Sequence, residues 1–287
     1  MENKTEIKVS LLKRLTNKKN FTFSIFEIVI SGSFLAIFLV LSYIIKTSLP
    51  PKLNVAFEIP FFIFLGILLG WFKGPIVALL FDIVKTAATS NVFLWTPEYG
   101  IVPLFIALIA AFFIKLVHSQ DIYLLIPTIM FILAIIAIFV YYWKLDDSLA
   151  TKAPKAWGNF FNKKSTLILI GSVATFITVV GTILFIIYKK TNSYKMKLAF
   201  LTLMILSFIF IIFRWFWHPI AFIRYYNRYL NRSGQDRIVE QYFFYYLNPI
   251  ILKSLVSLPI YTVSLVTLIP LVNFLNNKHN YQWRLGY

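Results

Sequence analysis

Apolar residues run along this chain in long, nearly uninterrupted stretches, not in the one-faced or alternating patterns of water-soluble helices and strands. A helix needs about 20 such residues to cross the hydrocarbon of a bilayer, and fewer where protein surrounds it. Eight stretches qualify as candidates. The first lies between Glu27 and Lys46, and the second, from about Leu53 to Phe72, contains Glu58. The third starts at Gly74 and contains Asp82 and Lys85; the fourth runs from about Gly100 to Leu116. The fifth is Ile122 to Trp143, the sixth Ser165 to Tyr188, the seventh Leu198 to about Trp217, and the eighth Pro249 to about Phe274. Between the second and third, Trp71-Phe72-Lys73-Gly74-Pro75 predicts a tight turn, because glycine permits it and proline at the start of the next helix sacrifices no hydrogen bond. Those two stretches therefore form a helical hairpin. The expected fold is all-α, a polytopic helical membrane protein.

The polar intervals set the organisation. Residues 1–24 form a basic segment with Lys4, Lys8, Lys13, Arg14, Lys18 and Lys19. No small-x-small cleavage site precedes Pro50-Pro51, and the stretch from Ser24 to Lys46 is long enough to span, so it reads as a retained first helix, not a signal peptide. The six cations place the N-terminus in the cytoplasm of a cell-membrane protein. An even number of crossings brings the C-terminal tail, residues 276–287 with Lys278 and Arg284, to the same side. The stretch Ala221 to Tyr246 then falls outside despite Arg224, Arg228, Arg232 and Arg237, against the positive-inside rule. A polar loop from Lys144 to Lys164 separates the fifth and sixth stretches.

Composition narrows the function. Of 287 residues, 59% are hydrophobic and 14% charged, against about 45–50% and 25% in soluble domains. Disorder is excluded by the same figures. With no cysteine, disulfide scaffolds, thiolate zinc sites, iron–sulfur clusters and thiol catalysis are excluded. The formal net charge of +17 sits mostly beside apolar stretches, where it meets anionic lipid headgroups and not nucleic acid. There is no phosphate-binding GxxxxGK[ST] loop, no HExxH and no GxSxG elbow, and His118, His218 and His279 are far apart. No metal and no cofactor are expected, and eleven acids argue against an enzyme.

The informative residues are polar ones in apolar surroundings, which face a partner or a cavity. Asp82 and Lys85, three apart on one helical face, fit a structural ion pair. Glu58 fits a helix-start charge favoured by the dipole. The segment Asn91 to Gly100, with Trp95, Glu98 and Tyr99, fits either a ligand lid or an interfacial aromatic belt. Arg214-Trp215-Phe216-Trp217-His218-Pro219 fits either a girdle or a site, in which indoles stack a flat heterocycle and arginine holds a carboxylate. Gly32 and Ala36, four apart, share a face that lets another helix approach closely.

Taken in order, these features resemble a known family. The basic N-terminus, the first helix with Gly32 and Ala36, the hairpin Leu69-Gly70-Trp71-Phe72-Lys73-Gly74-Pro75, the following Ala78 to Asp82 and the aromatic loop ending at Gly100 are similar to the substrate-binding S component of energy-coupling-factor (ECF) vitamin transporters. Ala78 stands where the family's turn motif has a further glycine. The last helix, Lys253 to Thr262, is similar to that of folate-type members, with Ile250 where those members have an arginine. The resemblance covers residues 25–117 and about 198–275. It implies a six-helix core, with residues 118–196 as an inserted helical pair and 197–275 as the closing helices. It also implies a subunit, not an enzyme, that captures a folate-like, riboflavin-like or pantothenate-like molecule from outside. The chain would dock through Gly32 and Ala36 on a transmembrane coupling subunit driven by two cytoplasmic ATPases. Trp95, Glu98, Tyr99, Arg214, Trp215, His218, Asn248 and Lys253 become candidate ligand contacts. Asp82, Lys85, Gly74 and Pro75 become structural. A membrane assembly protein without a pocket and a lipid-modifying enzyme are the alternatives.

Overall fold

The structure is a computed structural model, described for residues 21–48, 57–89, 95–117, 121–144, 163–231, 234 and 236–284. Among these there is no strand. The helices are α1 (Ile25–Ser48), α2 (Glu58–Thr89), α3 (Pro97–Val117), α4 (Leu125–Lys144, after a 3-10 turn Asp121–Leu124) and α5 (Lys163–Thr191). Next, α6 (Tyr194–Ile209) continues through a π-helical segment (Phe210–Trp217) into α7 (His218–Tyr225) and a second π-helical segment (Tyr226–Leu230). The last is α8 (Val239–Arg284). Among the described residues seven helical stretches are long and apolar enough to cross a membrane. Large apolar side chains such as Val29, Val40, Leu133, Ile168 and Val263 lie exposed on them, a surface that only lipid or another protein solvates favourably. This is a multi-pass helical membrane protein.

The helix α2 is not one rod. Gly70 has φ 82° and ψ −172°, a region open essentially to glycine alone, and the chain reverses there. The ion pair between Lys85 and Glu58, at the two ends of α2, shows the arms to be antiparallel. They touch through glycine: a Cβ on Gly74 would lie 2.8 Å from both Gly66 Cα and Leu65 O, and one on Gly66 would strike the Ala107 carbonyl of α3. The hairpin is thus as expected, but it pivots on Gly70, one residue before the turn read from Trp71 to Pro75. Pro75 falls in the opening turns of the second arm, where a missing N–H costs least. The first arm, Glu58 to Leu69, is only about 18 Å long, short of the roughly 30 Å hydrocarbon. Protein surrounds it instead: Phe62, Ile63, Leu65 and Ile67 are all buried.

Two further boundaries differ from expectation. The stretch Ala221 to Tyr246, read as an outer loop, is mostly helical: helical structure runs on to Leu230 and resumes at Val239. The connection is closed by Asn227, whose side chain accepts from Arg237 N (2.9 Å) and donates to Arg237 O (3.0 Å). The fourth stretch, here α3, begins at Pro97, not Gly100, so Glu98 and Tyr99 stand on its first turn. Proline is suited to that position and an acidic neighbour to the dipole.

The chain forms two compact units. One is built on residues up to Trp95 together with Gly100–Ile114; the other on Thr96–Tyr99 with residues from Lys115 on. In the second, α6 is the central rod: Leu198, Leu201, Leu206 and Ile209 are fully enclosed, and α4, α5 and α8 all pack on it. The helices read as an inserted pair, α4 and α5, therefore share one core with the closing helices.

Candidate functional site

In the first unit several polar groups find partners within the protein, while the buried Trp71 Nε1 has none. Ser24 and Glu27 form a reciprocal cap at the start of α1, Ser24 N donating to Glu27 Oε2 (2.8 Å) and Glu27 N to Ser24 Oγ (3.2 Å), the S-x-x-E capping box. Lys73, beside the hairpin pivot, donates to both oxygens of that carboxylate at 2.7 and 2.8 Å. Its side chain is 5% exposed. Sequence reading missed this pair, since nothing local links positions 27 and 73. Lys85 takes Glu58 as its partner, while Asp82 accepts from Trp95 Nε1 at 3.0 Å. The Trp95 ring lies against the bare Cα of Gly100, where a Cβ would strike it. Trp95 is thus held inside this unit by Asp82 and Gly100. The other lid residues, 91–94, lie outside the described residues, as does His118. Gly32 and Ala36 are exposed, and a Cβ on Gly32 would meet nothing within 4 Å. Among the described residues nothing covers Gly32 on α1.

The second unit gathers cations and aromatics. Tyr99 packs edge-on against His218 (5.5 Å between ring centroids) and Tyr225 (6.1 Å). Arg214 lies within electrostatic range of Tyr99, His218 and Lys253. Among the described residues no carboxylate comes within ion-pair distance of Arg214 or Lys253. Glu98, one residue from Tyr99, turns elsewhere: its Oε1 is 3.4 Å from Arg228, and its backbone oxygen accepts from Trp217 Nε1 at 2.7 Å. Its buried Oε2 has no hydrogen-bond partner. Glu98, Tyr99, Arg214, His218 and Lys253 thus form one neighbourhood, joined by Trp217 of the same run and by Arg228, which sequence reading did not offer as a site residue. Their spacing carried the signal: Arg214 and His218 are four apart, and Trp217 and His218 precede Tyr225 by about two turns, so one face presents them together.

Trp215 is on the other face. It is 0% exposed, its Nε1 donates to Ser254 Oγ at 3.0 Å, and its carbonyl accepts from Tyr142 Oη at 3.3 Å. An indole enclosed in this way packs α4, the π-helical segment and α8 together and offers no open ring face to a heterocycle. Asn248 is buried between α8 and α5, its Oδ1 accepting from Thr166 Oγ1 at 3.0 Å, its Nδ2 without a partner. Arg237 stacks on Tyr226, 3.3 Å from the ring centroid, with Tyr242 and Tyr246 at 5.1 and 5.8 Å. Among the described residues no group of three or more His, Asp or Glu side chains is placed to hold a metal ion.

Fold and site together define a class: a multi-pass helical membrane protein in which, among the described residues, Arg214 and Lys253 sit near aromatic side chains without a carboxylate partner. Comparison with known proteins goes no further, since no family model, curated protein or solved structure matches the chain.

Proposed function

We propose that this chain is the substrate-binding subunit of an ECF-type importer, and that it captures an anionic, vitamin-type small molecule. One observation carries the reading: Arg214 and Lys253 stand together on membrane-spanning helices with no carboxylate to neutralise either among the described residues. A cation in such surroundings needs a partner, and a carboxylate or phosphate ligand supplies one. Guanidinium and ammonium bind the anion, while His218 and the Tyr99 ring border it with polar and aromatic surface. Folate-type members have an arginine where this chain has Ile250, a position that here lies inside α8. Ile250 is buried, and Arg214 offers the guanidinium from the neighbouring element. The open face at Gly32 and Ala36 supports docking on a coupling subunit, and the lack of a phosphate loop is consistent with ATP hydrolysis on separate subunits.

Native mass spectrometry of the full chain, purified in mild detergent, tests the proposal. A retained small anion is expected, lost on Arg214→Gln, together with co-purification of a membrane partner and ATPases. A chain that carries no small molecule and recovers no ATPase partner overturns it.

A further inference from the structure

A cavity of about 530 Å³ lies among α4, α5 and α6, away from the cationic cluster and independent of the import role. Leu125, Phe131, Phe185, Phe200 and Met204 make its walls apolar. The hydroxyls that line it are already engaged: Thr178 bonds to Ala174 O and Thr182 to Thr178 O, each at 2.8 Å. At Gly181 the Met204 methyl packs directly on the backbone, where a Cβ would strike it. Along α5 the lining runs from Thr178 to Lys189, about 16 Å of helix and close to half of the roughly 30 Å hydrocarbon. The slot is therefore about one leaflet deep. Ile122, Leu125, Thr178 and Thr182 on its rim are exposed, so it opens on the outer surface of the helices, where acyl chains are.

One end is polar and basic. Asp121 lines the cavity there, and it binds Lys189 at 2.6 Å and Lys197 at 3.6 Å, with Tyr188 Oη also donating to it. The short turn between α5 and α6 is flanked by four lysines, Lys189, Lys190, Lys195 and Lys197, and Lys190 and Lys195 are exposed. Among the described residues Lys190 and Lys195 have no carboxylate within ion-pair distance. An apolar slot one leaflet deep, open to the side and ending in exposed lysines, matches one kind of molecule. The geometry points to a binding site for an anionic diacyl phospholipid, with one acyl chain in the α4–α5–α6 slot and the phosphate among the lysines of the α5–α6 turn. Clustered lysines at a helix end favour anionic headgroups, and a largely apolar slot whose hydroxyls are already bonded disfavours water but admits a hydrocarbon chain.

The test is native mass spectrometry of the full chain titrated with phosphatidylglycerol or with phosphatidylcholine of the same acyl chains. Phosphatidylglycerol is expected to be retained roughly fivefold or more better, and Lys190→Gln with Lys195→Gln to lower its retention by about fivefold per lysine. Thr182→Trp, which fills the slot from an exposed position, is expected to abolish retention of both lipids without lowering the thermal midpoint. Thr178→Phe, one turn away on the same face, serves as the second filling variant. Glycerol phosphate, the headgroup chemistry without chains, is expected not to displace the lipid. Equal retention of the two lipids by the unaltered chain overturns the headgroup site. Undiminished retention in both folded filling variants overturns the slot, and displacement by glycerol phosphate shows that the lysines bind free phosphate instead.

Discussion

The Lys73 ammonium, at the turn of the α2 hairpin, donates to both carboxylate oxygens of Glu27, 46 positions earlier at the start of α1. The same carboxylate closes the cap with Ser24. One acid therefore fixes where α1 begins and where the hairpin turn rests against it.

Removing one partner of such a pair strands the other charge in apolar surroundings, at a cost of about 3–5 kcal/mol. Glu27→Gln is expected to lower the thermal midpoint in detergent markedly. Adding Lys73→Met to it should restore much of the loss, because the stranded cation goes with its partner. Equal midpoints for unaltered chain and Glu27→Gln would show that the pair does not hold the hairpin.

Two glycines separate folding from docking. Gly74→Leu places a side chain against Gly66 and Leu65, and a sharp drop in the yield of monodisperse protein is expected. A Cβ on Gly32 meets nothing within 4 Å, so for Gly32→Leu yield and ligand retention should stay unchanged while co-purification with the coupling subunit falls. Undiminished recovery of that complex would show that α1 docks elsewhere or not at all.

Neighbouring residues of the π-helical segment should part in the same way. Trp215→Phe removes the bond to Ser254 and is expected to reduce stability by about 1–3 kcal/mol without changing ligand retention. Arg214→Gln should leave the melting curve in place and reduce retention of an anionic ligand by about tenfold or more, the worth of a charge-assisted hydrogen bond. Thermal melting and ligand titration on both variants make the comparison, and a Trp215 variant that loses ligand while keeping its stability would return the indole to the binding surface.

Asn248 tests whether α5 belongs to the core. Thr166→Val deprives the buried Asn248 Oδ1 of its donor, with an expected loss of about 1–3 kcal/mol. Replacing Asn248 with leucine in that background should recover part of it, since no polar atom is then left unpaired. Unchanged unfolding in Thr166→Val would detach α5 from the stability of α8.

The apolar stretches and the hairpin were legible in the chain because a bilayer leaves few choices: backbone groups must bond within helices, and helices must be apolar for the depth they cross. Gly74 and Pro75 marked the reversal to within a few residues. The segment from Ala221 to Tyr246 misled because counting alternating crossings placed it outside as a connection between the seventh and eighth stretches. In the structure Glu98 meets Arg228 on the helix that runs on to Leu230, and tyrosine rings cover Arg237 in the connection before Val239. The run from Arg214 to His218 gave residue types without orientation. Helix rotation then turned Trp215 toward Ser254 and left Arg214 with His218 and Lys253.

From the amino-acid order alone came the solvent, the secondary structure and the inventory of polar groups, because each depends on side chains near one another along the chain. Which polar group meets which was decided only in three dimensions. Lys73 finds Glu27, Lys85 finds Glu58 and Trp95 finds Asp82 because close helix packing at Gly66, Gly70 and Gly74 sets the distances between elements, and no local pattern encodes those distances.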